Sequence, residues 1–508
     1  MVSYCQLDSV TLTPDHGGIL KTVLVAILFA FIYTIDVNAF AVEPETLTFS
    51  PCELELHGKA ISRKAECATV QVPLSPSVDK TIELFVARLP ARKKQPLLDP
   101  LLMLAGGPGQ AASEAYLFAD HQFSKIHQDR DIYLIDQRGT GRSTRFDCEL
   151  PENEFALTPF DTEDTIQMSR SCLSAFEHDA KYFTTSAALA DFEQVRRELG
   201  VDKWNILGVS YGTRVALHYM RMYPDSVRSV VLDSVLYPEH NLGVEIALQS
   251  QIALDSLLKR CKQQADCSEA FPELAAGVDQ LIKSLRAKPV LVVYEDIRTG
   301  ADVEIQFGLR HLSTVLRLSL YQDEISALLP LILHEAITKD NFAPLARKMA
   351  DIETALGGMM SIGMHNSVVC TEDVPFYADE STWQQALPNT YLGDSITDAL
   401  VAMCSVWPKG VIDKGFKAPV ESDIPVLLFS GELDPITPPR YAELAMKRLS
   451  RSAHFVLNGQ SHHVSATGCA PSLVASFIRE LKPEELDASC LSRVQAAPFF
   501  IDFNGPTP

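Results

Sequence analysis

Residues 204–223 read WNILGVSYGTRVALHYMRMY, and this stretch decides the fold. The apolar run 204–209 is typical of a buried strand, and apolar residues at helical spacing follow Ser210. Residues 208–212 form a G-x-S-x-G motif, in which the glycines let a strand and a helix cross closely while the serine is exposed on a strained turn. The sequence therefore predicts a strand, a sharp turn and a helix, with Ser210 as a nucleophile.

Further along the chain, apolar or alternating runs predict more strands. The expected strands cover residues 67–73, 81–89, 100–105, 132–136, 227–232, 424–430 and 454–457. The first two predict an antiparallel sheet edge, whereas nearly continuous apolar runs such as 132–136 are typical of parallel strands that are covered on both faces. Helical periodicity dominates residues 240–422. We therefore predict an α/β fold with a mostly parallel sheet, helices on both faces and a large, mainly helical cap placed over Ser210.

A serine nucleophile needs a histidine to take its proton and a carboxylate to orient that histidine. After a G-x-S-x-G turn the acid and the histidine are expected in that order, in loops that follow later strands. The loop after the strand at 424–430 supplies Asp434, which we prefer to Glu432 because Pro435 can fix its backbone. The loop after the strand at 454–457 supplies His462, which is preferred weakly to His463.

The glycine-rich loop GGPG, residues 106–109, follows the strand predicted at 100–105. Such a loop can aim peptide N–H groups into a cleft, and a plain turn is the alternative. We predict an oxyanion hole formed by the N–H groups of Gly107 and of Tyr211, the residue after the serine.

The composition is that of an ordinary globular protein of 508 residues, with 46% hydrophobic and 21% charged residues. A formal net charge of −21 argues against a nucleic-acid partner, because no basic stripe is available to neutralise phosphates. His334 and Glu335 begin an H-E-x-x-H pattern, but Thr338 stands in place of the second histidine. We therefore expect neither a metal site nor a cofactor.

An export leader is predicted at the N-terminus. Residues 23–35 read VLVAILFAFIYTI, and an A-x-A pattern that ends at Ala41 follows them. We predict a signal peptide over residues 1–41, a periplasmic or extracellular location, and no stable membrane partner after cleavage. An uncleaved membrane anchor is the alternative, although the run is shorter than the ~20 residues that a span needs.

The cysteines support export, because removal of the leader removes Cys5 and leaves ten, an even set suited to an oxidising compartment. Ten reduced thiols are the alternative. Neighbouring cysteines suggest the pairs Cys52–Cys67, Cys148–Cys172, Cys261–Cys267, Cys370–Cys404 and Cys469–Cys490.

Five motifs carry a family resemblance: GGPG at 106–109, DQRGTGRS at 136–143, GVSYGTR at 208–214, GELDPITPP at 431–439 and GQSHHV at 459–464. Together they resemble the secreted α/β-hydrolase exopeptidases of the tripeptidyl aminopeptidase group, which is related to prolyl iminopeptidase. The resemblance covers most of the chain after the leader and assigns Ser210, Asp434 and His462 to a catalytic triad. His463 stands where the family often has glycine. Ala105 stands where prolyl iminopeptidases commonly have histidine, which favours the tripeptidyl aminopeptidase side.

The resemblance implies the α/β-hydrolase fold. The break in the strand and helix pattern divides the chain after the leader into a first core segment at 42–239, the cap at 240–422 and a second core segment at 423–508. The resemblance also implies the release of short pieces from peptides with free N-termini. Carboxylates under the cap would hold the ammonium group of such a peptide. Glu372 and Asp373 are candidates for those carboxylates, and two solvated surface acids are the alternative. We expect an exported serine aminopeptidase. The alternatives are a carboxylesterase or a prolyl iminopeptidase on the same triad, and an inactive binding protein of the same fold.

Overall fold

The strands lie close to where the apolar runs predict them. The computed structural model describes residues 47–56, 60–148, 162–297, 299–356, 358–379 and 385–506, and the predicted leader lies outside these ranges. The strands of the described ranges are β1 (Ser50–Glu55), β2 (Ser62–Ser75), β3 (Val78–Leu89), β4 (Leu97–Leu104), β5 (Arg130–Ile135), β6 (Trp204–Val209), β7 (Val227–Asp233), β8 (Val290–Glu295), β9 (Asp302–Phe307), β10 (Val426–Gly431) and β11 (Ser452–Leu457).

Nine of these strands form one sheet in the order β1-β2-β3-β5-β4-β6-β7-β10-β11. Strands β1, β2 and β3 pair antiparallel, as does β3 with β5, and the remaining pairs are parallel. The register places Val209 opposite Asp233, and Asp233 opposite Phe429. The carboxyl ends of β6, β7 and β10 therefore meet at one edge, which is where open α/β sheets place their ligand sites.

Helices cover both faces of this sheet and make up most of the region between β7 and β10. Those in the described ranges are α1 (Ala112–Ala119), α2 (Thr162–Ala175), α3 (Thr185–Glu198), α4 (Tyr211–Met222), α5 (Ile246–Gln263), α6 (Ala265–Ala270), α7 (Leu274–Ala287), α8 (Leu309–Ser319), α9 (Asp323–Ser326), α10 (Leu329–Lys339), α11 (Ala343–Leu356), α12 (Ile362–Glu372), α13 (Ser395–Cys404), α14 (Pro439–Met446) and α15 (Ala470–Glu480). Within the ranges that the structure describes, no helix has the length and apolarity of a membrane span.

The apolar core is divided by the sheet. Neighbouring residues of one strand enter different clusters, because successive side chains of a strand point to opposite faces. Ile206 belongs to the cluster on the face that α3 and α4 cover, whereas Leu207 belongs to the cluster on the face of α1 and α15. A third cluster fills the inside of the region between β7 and β10.

The region between β7 and β10 is mainly helical, as the sequence predicts, with one exception. Strands β8 and β9 form an antiparallel hairpin that periodicity alone did not reveal. Val292 and Tyr294 are buried in the third cluster, while Leu291 and Val293 are exposed, so the segment has the two-residue alternation of a strand.

All five disulfides join the cysteines that neighbour each other in sequence, as predicted. We expect thiol titration of the unfolded protein, without reductant, to find none of these ten cysteines free. Ten free thiols would contradict both the pairing and the expected oxidising compartment. Each bridge is expected to add about 2–4 kcal/mol to the free energy of unfolding.

The bridges also provide a matched comparison. Cys370 and Cys404 lie 34 residues apart, whereas Cys261 and Cys267 lie 6 apart. Removal of the longer bridge by paired Cys→Ser changes is expected to lower the free energy of unfolding by about 1.5 kcal/mol more than removal of the shorter one, since the stabilisation grows with loop length. Urea unfolding of the two double variants measures the difference, and equal losses would show that loop entropy is not what these bridges contribute.

Candidate active site

Ser210 occupies the sharp turn between β6 and α4. Its backbone has φ 56° and ψ −123°, a strained conformation that a non-glycine residue adopts rarely. A Cβ atom at Gly208 would overlap the carbonyl oxygen of Gly212, and one at Gly212 would overlap that of Leu104. Both motif glycines are therefore required by the close crossing of strand and helix, and the predicted turn is confirmed.

The GGPG loop lies directly against this serine. A Cβ atom at Gly106 would lie 3.1 Å from the Cβ of Ser210, and Gly107 has φ +106°, a conformation that favours glycine. The carbonyl oxygen of Gly109 accepts a hydrogen bond of 2.9 Å from the N–H of Ser361, at the start of α12. The loop is thus held between the nucleophile turn and the region that precedes β10.

Asp434 and His462 form a hydrogen-bonded pair between the loops after β10 and β11. The Nδ1 atom of His462 lies 2.8 Å from Oδ2 of Asp434, and the carboxylate is fully buried. Burial alone would lower the pKa of His462, but the Asp434 carboxylate and its hydrogen bond raise that pKa above its usual value. Burial alone would raise the pKa of Asp434, yet His462 and two backbone N–H groups hold it below its usual value. The aspartate is thus ionised and oriented towards the imidazole.

Thr437 completes this pair, and the sequence analysis did not single it out. Its hydroxyl donates to Oδ2 of Asp434 at 2.8 Å and lies 3.2 Å from Nδ1 of His462. The N–H groups of Ile436 and Thr437 both donate to Oδ1 of Asp434 at 2.9 Å. An aspartate followed by a hydroxyl residue in the same turn is a local signal for such side-chain to backbone bonds.

Neighbouring strands hold the histidine loop. Asp233, at the end of β7, is fully buried and accepts hydrogen bonds from the N–H groups of Val464 and Ser465 at 3.0 and 2.9 Å. The carbonyl oxygen of Tyr321 accepts from the N–H of His462 at 3.3 Å. The position of the imidazole is therefore set both by the sheet and by the region between β7 and β10.

His463 has a different environment from His462. Its backbone has φ 64°, in the left-handed region that favours glycine, the residue that the family resemblance implies at this position. Its Nε2 lies 3.7 Å from Oδ2 of Asp233. The two adjacent histidines thus face different carboxylates, and of the two it is His462 that forms a hydrogen bond with Asp434.

The structure surrounds Asp373 with cations. Arg214 donates to both carboxylate oxygens, at 3.0 and 2.8 Å, and the Nζ of Lys417 lies 3.1 Å from Oδ1. Although burial alone would raise it, the pKa of Asp373 is held far below its usual value by Arg214 and Lys417. Asp373 is a fully buried, ion-paired carboxylate rather than a solvated surface acid.

Glu372 is also fully buried and already accepts two hydrogen bonds from Thr185. The Thr185 N–H donates at 2.6 Å to Oε1, and the Thr185 hydroxyl donates at 2.7 Å to Oε2. Burial raises the pKa of Glu372 to about 7, against the lowering influence of Arg214. Because both predicted ammonium ligands have protein partners, the geometry gives that assignment no support, and it stays an untested prediction.

Two family models match the chain at the parts that carry this geometry. A model described as alpha/beta hydrolase fold matches residues 99–259, which include the GGPG loop and Ser210. A model described as TAP-like protein matches residues 389–490, which include Asp434 and His462. The chain has the α/β-hydrolase fold. The fold class expected from the sequence is confirmed for this α/β-hydrolase, since its mostly parallel sheet and nucleophile turn agree with the matched models.

Several curated proteins are similar to this α/β-hydrolase. Serine protease Hip1 of Mycobacterium tuberculosis is 23% identical over 480 residues, covering 85% of this chain and 89% of the relative. Tripeptidyl aminopeptidase of Streptomyces coelicolor is 27% identical over 256 residues, covering 45% of this chain and 46% of the relative. Proline iminopeptidase of Aeromonas sobria is 31% identical over 175 residues, covering 33% of this chain and 36% of the relative. The last two matches span less than half of those relatives. The predicted enzyme class, a serine hydrolase, is confirmed.

Proposed function

We propose that this α/β-hydrolase is an exported serine aminopeptidase that removes short pieces from peptides with free N-termini. The observation that carries the proposal is the 2.8 Å hydrogen bond between Asp434 and His462 on the loops after β10 and β11, at the sheet edge where Ser210 follows β6. The similar proteins add support, because their names include serine protease, tripeptidyl aminopeptidase and proline iminopeptidase.

The proposed reaction is acyl transfer through Ser210. Its hydroxyl oxygen attacks the scissile carbonyl carbon while His462 takes the hydroxyl proton, and Asp434 stabilises the imidazolium that forms. The N–H groups of Gly107 and Tyr211 stabilise the resulting oxyanion. His462 then gives the proton to the departing amine. In the second half of the reaction water attacks the acyl carbon, and His462 takes a proton from the water and returns it to the Ser210 oxygen as the carboxylic acid leaves. No step in this sequence draws on a metal or a cofactor.

We propose that residues 240–422, between β7 and β10, form a cap over the site. Such a cap would explain why the enzyme acts as an exopeptidase rather than as a general hydrolase. The backbone of this region contacts both halves of the site, at Gly109 through Ser361 and at His462 through Tyr321. A cleft that is roofed in this way admits a polypeptide by an end. Export agrees with the five disulfides, which are typical of oxidising compartments.

We expect peptides with free N-termini to be hydrolysed far better than their N-acetylated counterparts. A site that pairs a desolvated ammonium leaves its own acceptor groups unpaired when the N-terminus is blocked, which costs about 3–5 kcal/mol. The expected difference in kcat/KM is therefore about two to four powers of ten. The measurement compares tripeptidyl chromogenic substrates with and without an N-acetyl group.

A panel of aminoacyl, dipeptidyl and tripeptidyl substrates, assayed beside simple esters, tests the proposal as a whole. Equal kcat/KM for free and acetylated peptides would overturn the aminopeptidase proposal and favour a carboxylesterase or an endopeptidase. Preference for a single N-terminal proline would favour the prolyl iminopeptidase alternative. Loss of discrimination in Glu372→Gln or Asp373→Asn would support the predicted ammonium ligands, and unchanged discrimination would exclude them.

A further inference from the structure

Side-chain hydrogen bonds link the end of α12 to Tyr211, the residue that follows the nucleophile. Thr185, at the start of α3, donates to Glu372 through both its N–H and its hydroxyl. The hydroxyl oxygen of Thr185 lies 2.5 Å from the phenolic oxygen of Tyr211, and Nε2 of Gln137 donates to that phenol at 3.2 Å. The chain therefore connects Glu372 with the first residue of α4.

The hydrogen bonds in this chain have one consistent direction. The Thr185 hydroxyl donates its single proton to Oε2 of Glu372. Thr185 must then accept from the phenol of Tyr211, and the phenol in turn accepts from the amide of Gln137. A fully satisfied buried chain of this kind fixes the rotamers of its members, because any rotation leaves a desolvated polar group without a partner.

Asp373, the residue after Glu372, contacts α4 at a second point. Asp373 pairs with Arg214, three residues after Tyr211 and on the same side of α4. The disulfide between Cys370 and Cys404 joins the end of α12 to α13. Adjacent carboxylates thus attach the first turn of α4 to a helix that is itself covalently fixed.

We propose that Glu372 is a positioning residue for the oxyanion hole, acting through Thr185 and the phenol of Tyr211 to hold the Tyr211 peptide N–H in place beside Ser210. This inference rests on the proposed function, because it concerns the N–H group that stabilises the oxyanion there. It gives Glu372 a part in the chemical step for every acyl substrate, rather than in recognition of a substrate ammonium.

The test uses Glu372→Gln, Tyr211→Phe and the double variant. The amide in Glu372→Gln donates where the carboxylate accepted, and Tyr211→Phe removes one hydroxyl while it keeps the peptide N–H. Each single variant is expected to lower kcat about tenfold with KM within about twofold, since a small misplacement of a catalytic group mainly slows the chemical step. The loss is expected to be equal for a free tripeptidyl substrate and for p-nitrophenyl acetate, and the double variant to lose no more than the larger single loss.

Three results would overturn the inference: unchanged kcat, multiplied losses in the double variant, or a loss confined to peptides with a free N-terminus and expressed in KM. Thermal unfolding shows whether each variant is folded. If Glu372→Gln is not folded, the kinetics of Tyr211→Phe alone decide the test. Glu421→Gln, which removes an exposed partner of Arg448, is the matched control. Ser210→Ala distinguishes failure of the proposed function from failure of the positioning role. If Ser210→Ala keeps its turnover, the proposed function is contradicted. If Ser210→Ala loses turnover while Glu372→Gln and Tyr211→Phe keep theirs, only the positioning role is contradicted.

Discussion

Replacement of Ser210 by alanine is expected to lower kcat by roughly 10⁶-fold and to leave the fold intact. The acyl-enzyme cannot form without the hydroxyl, and the remaining rate is that which substrate binding and the oxyanion hole supply alone. Alanine lacks only this hydroxyl oxygen, and the Ser210 N–H keeps its hydrogen bond of 2.9 Å to the carbonyl oxygen of Asp233. Steady-state hydrolysis of a tripeptidyl chromogenic substrate measures the loss. Turnover close to that of the wild type would contradict the serine mechanism.

The two adjacent histidines provide the control for this prediction. His462→Ala is expected to match Ser210→Ala, because members of a triad act as a unit and their losses are not additive. His463→Gly is the matched variant, since glycine fits the φ of 64° at this position without strain. It is expected to keep most of the activity. The reverse outcome would move the base to His463 and leave the serine mechanism standing.

Asp434→Asn is expected to lower kcat by about 10⁴-fold. Oδ1 accepts two backbone N–H groups, so the asparagine oxygen takes that side and its NH₂ group faces Nδ1 of His462. An N–H donor there forces Nδ1 to accept, which places the imidazole proton on Nε2 and prevents it from taking the serine proton. The kcat of the purified, folded variant on the same substrate is the measurement.

Glu432 is the matched control for Asp434, because it lies in the same loop and was the other candidate acid. Its carboxylate accepts a hydrogen bond of 2.7 Å from the N–H of Gly459 and is exposed. Glu432→Gln is expected to keep nearly all of the activity. A large loss in this variant beside a small loss in Asp434→Asn would show that the orienting acid is misassigned.

The sequence was most informative where a local pattern has a single geometric solution. The G-x-S-x-G turn, the strand positions, the five disulfides and the contact between Asp434 and His462 all followed from short motifs and their order. The hairpin of β8 and β9 was missed because it lies within a region that helical periodicity dominates. Strand β1 was missed for a similar reason, since its polar and exposed residues give no apolar run.

The partners of the buried charges were not accessible from the sequence. Glu372 and Asp373 read as two neighbouring acids, and nothing local shows that Thr185 satisfies the first or that Arg214 and Lys417 neutralise the second. These partners are distant in sequence and meet only when α12 packs beside α3 and α4. Polar networks of this kind depend on tertiary structure, whereas a turn motif depends on its own backbone.

The insertion between β7 and β10 contributes to two different apolar clusters. This division limits which parts of the insertion can be exchanged with those of related enzymes in a chimera. The buried apolar residues of 246–349 pack within the insertion's own cluster, whereas Met364, Val368 and Trp407 pack with the sheet. A chimera that exchanges only the first part keeps Glu372 and Asp373 beside the nucleophile helix. Exchange of the whole insertion would replace part of the sheet's own core, so natural and engineered changes of specificity are expected to concentrate in the first part.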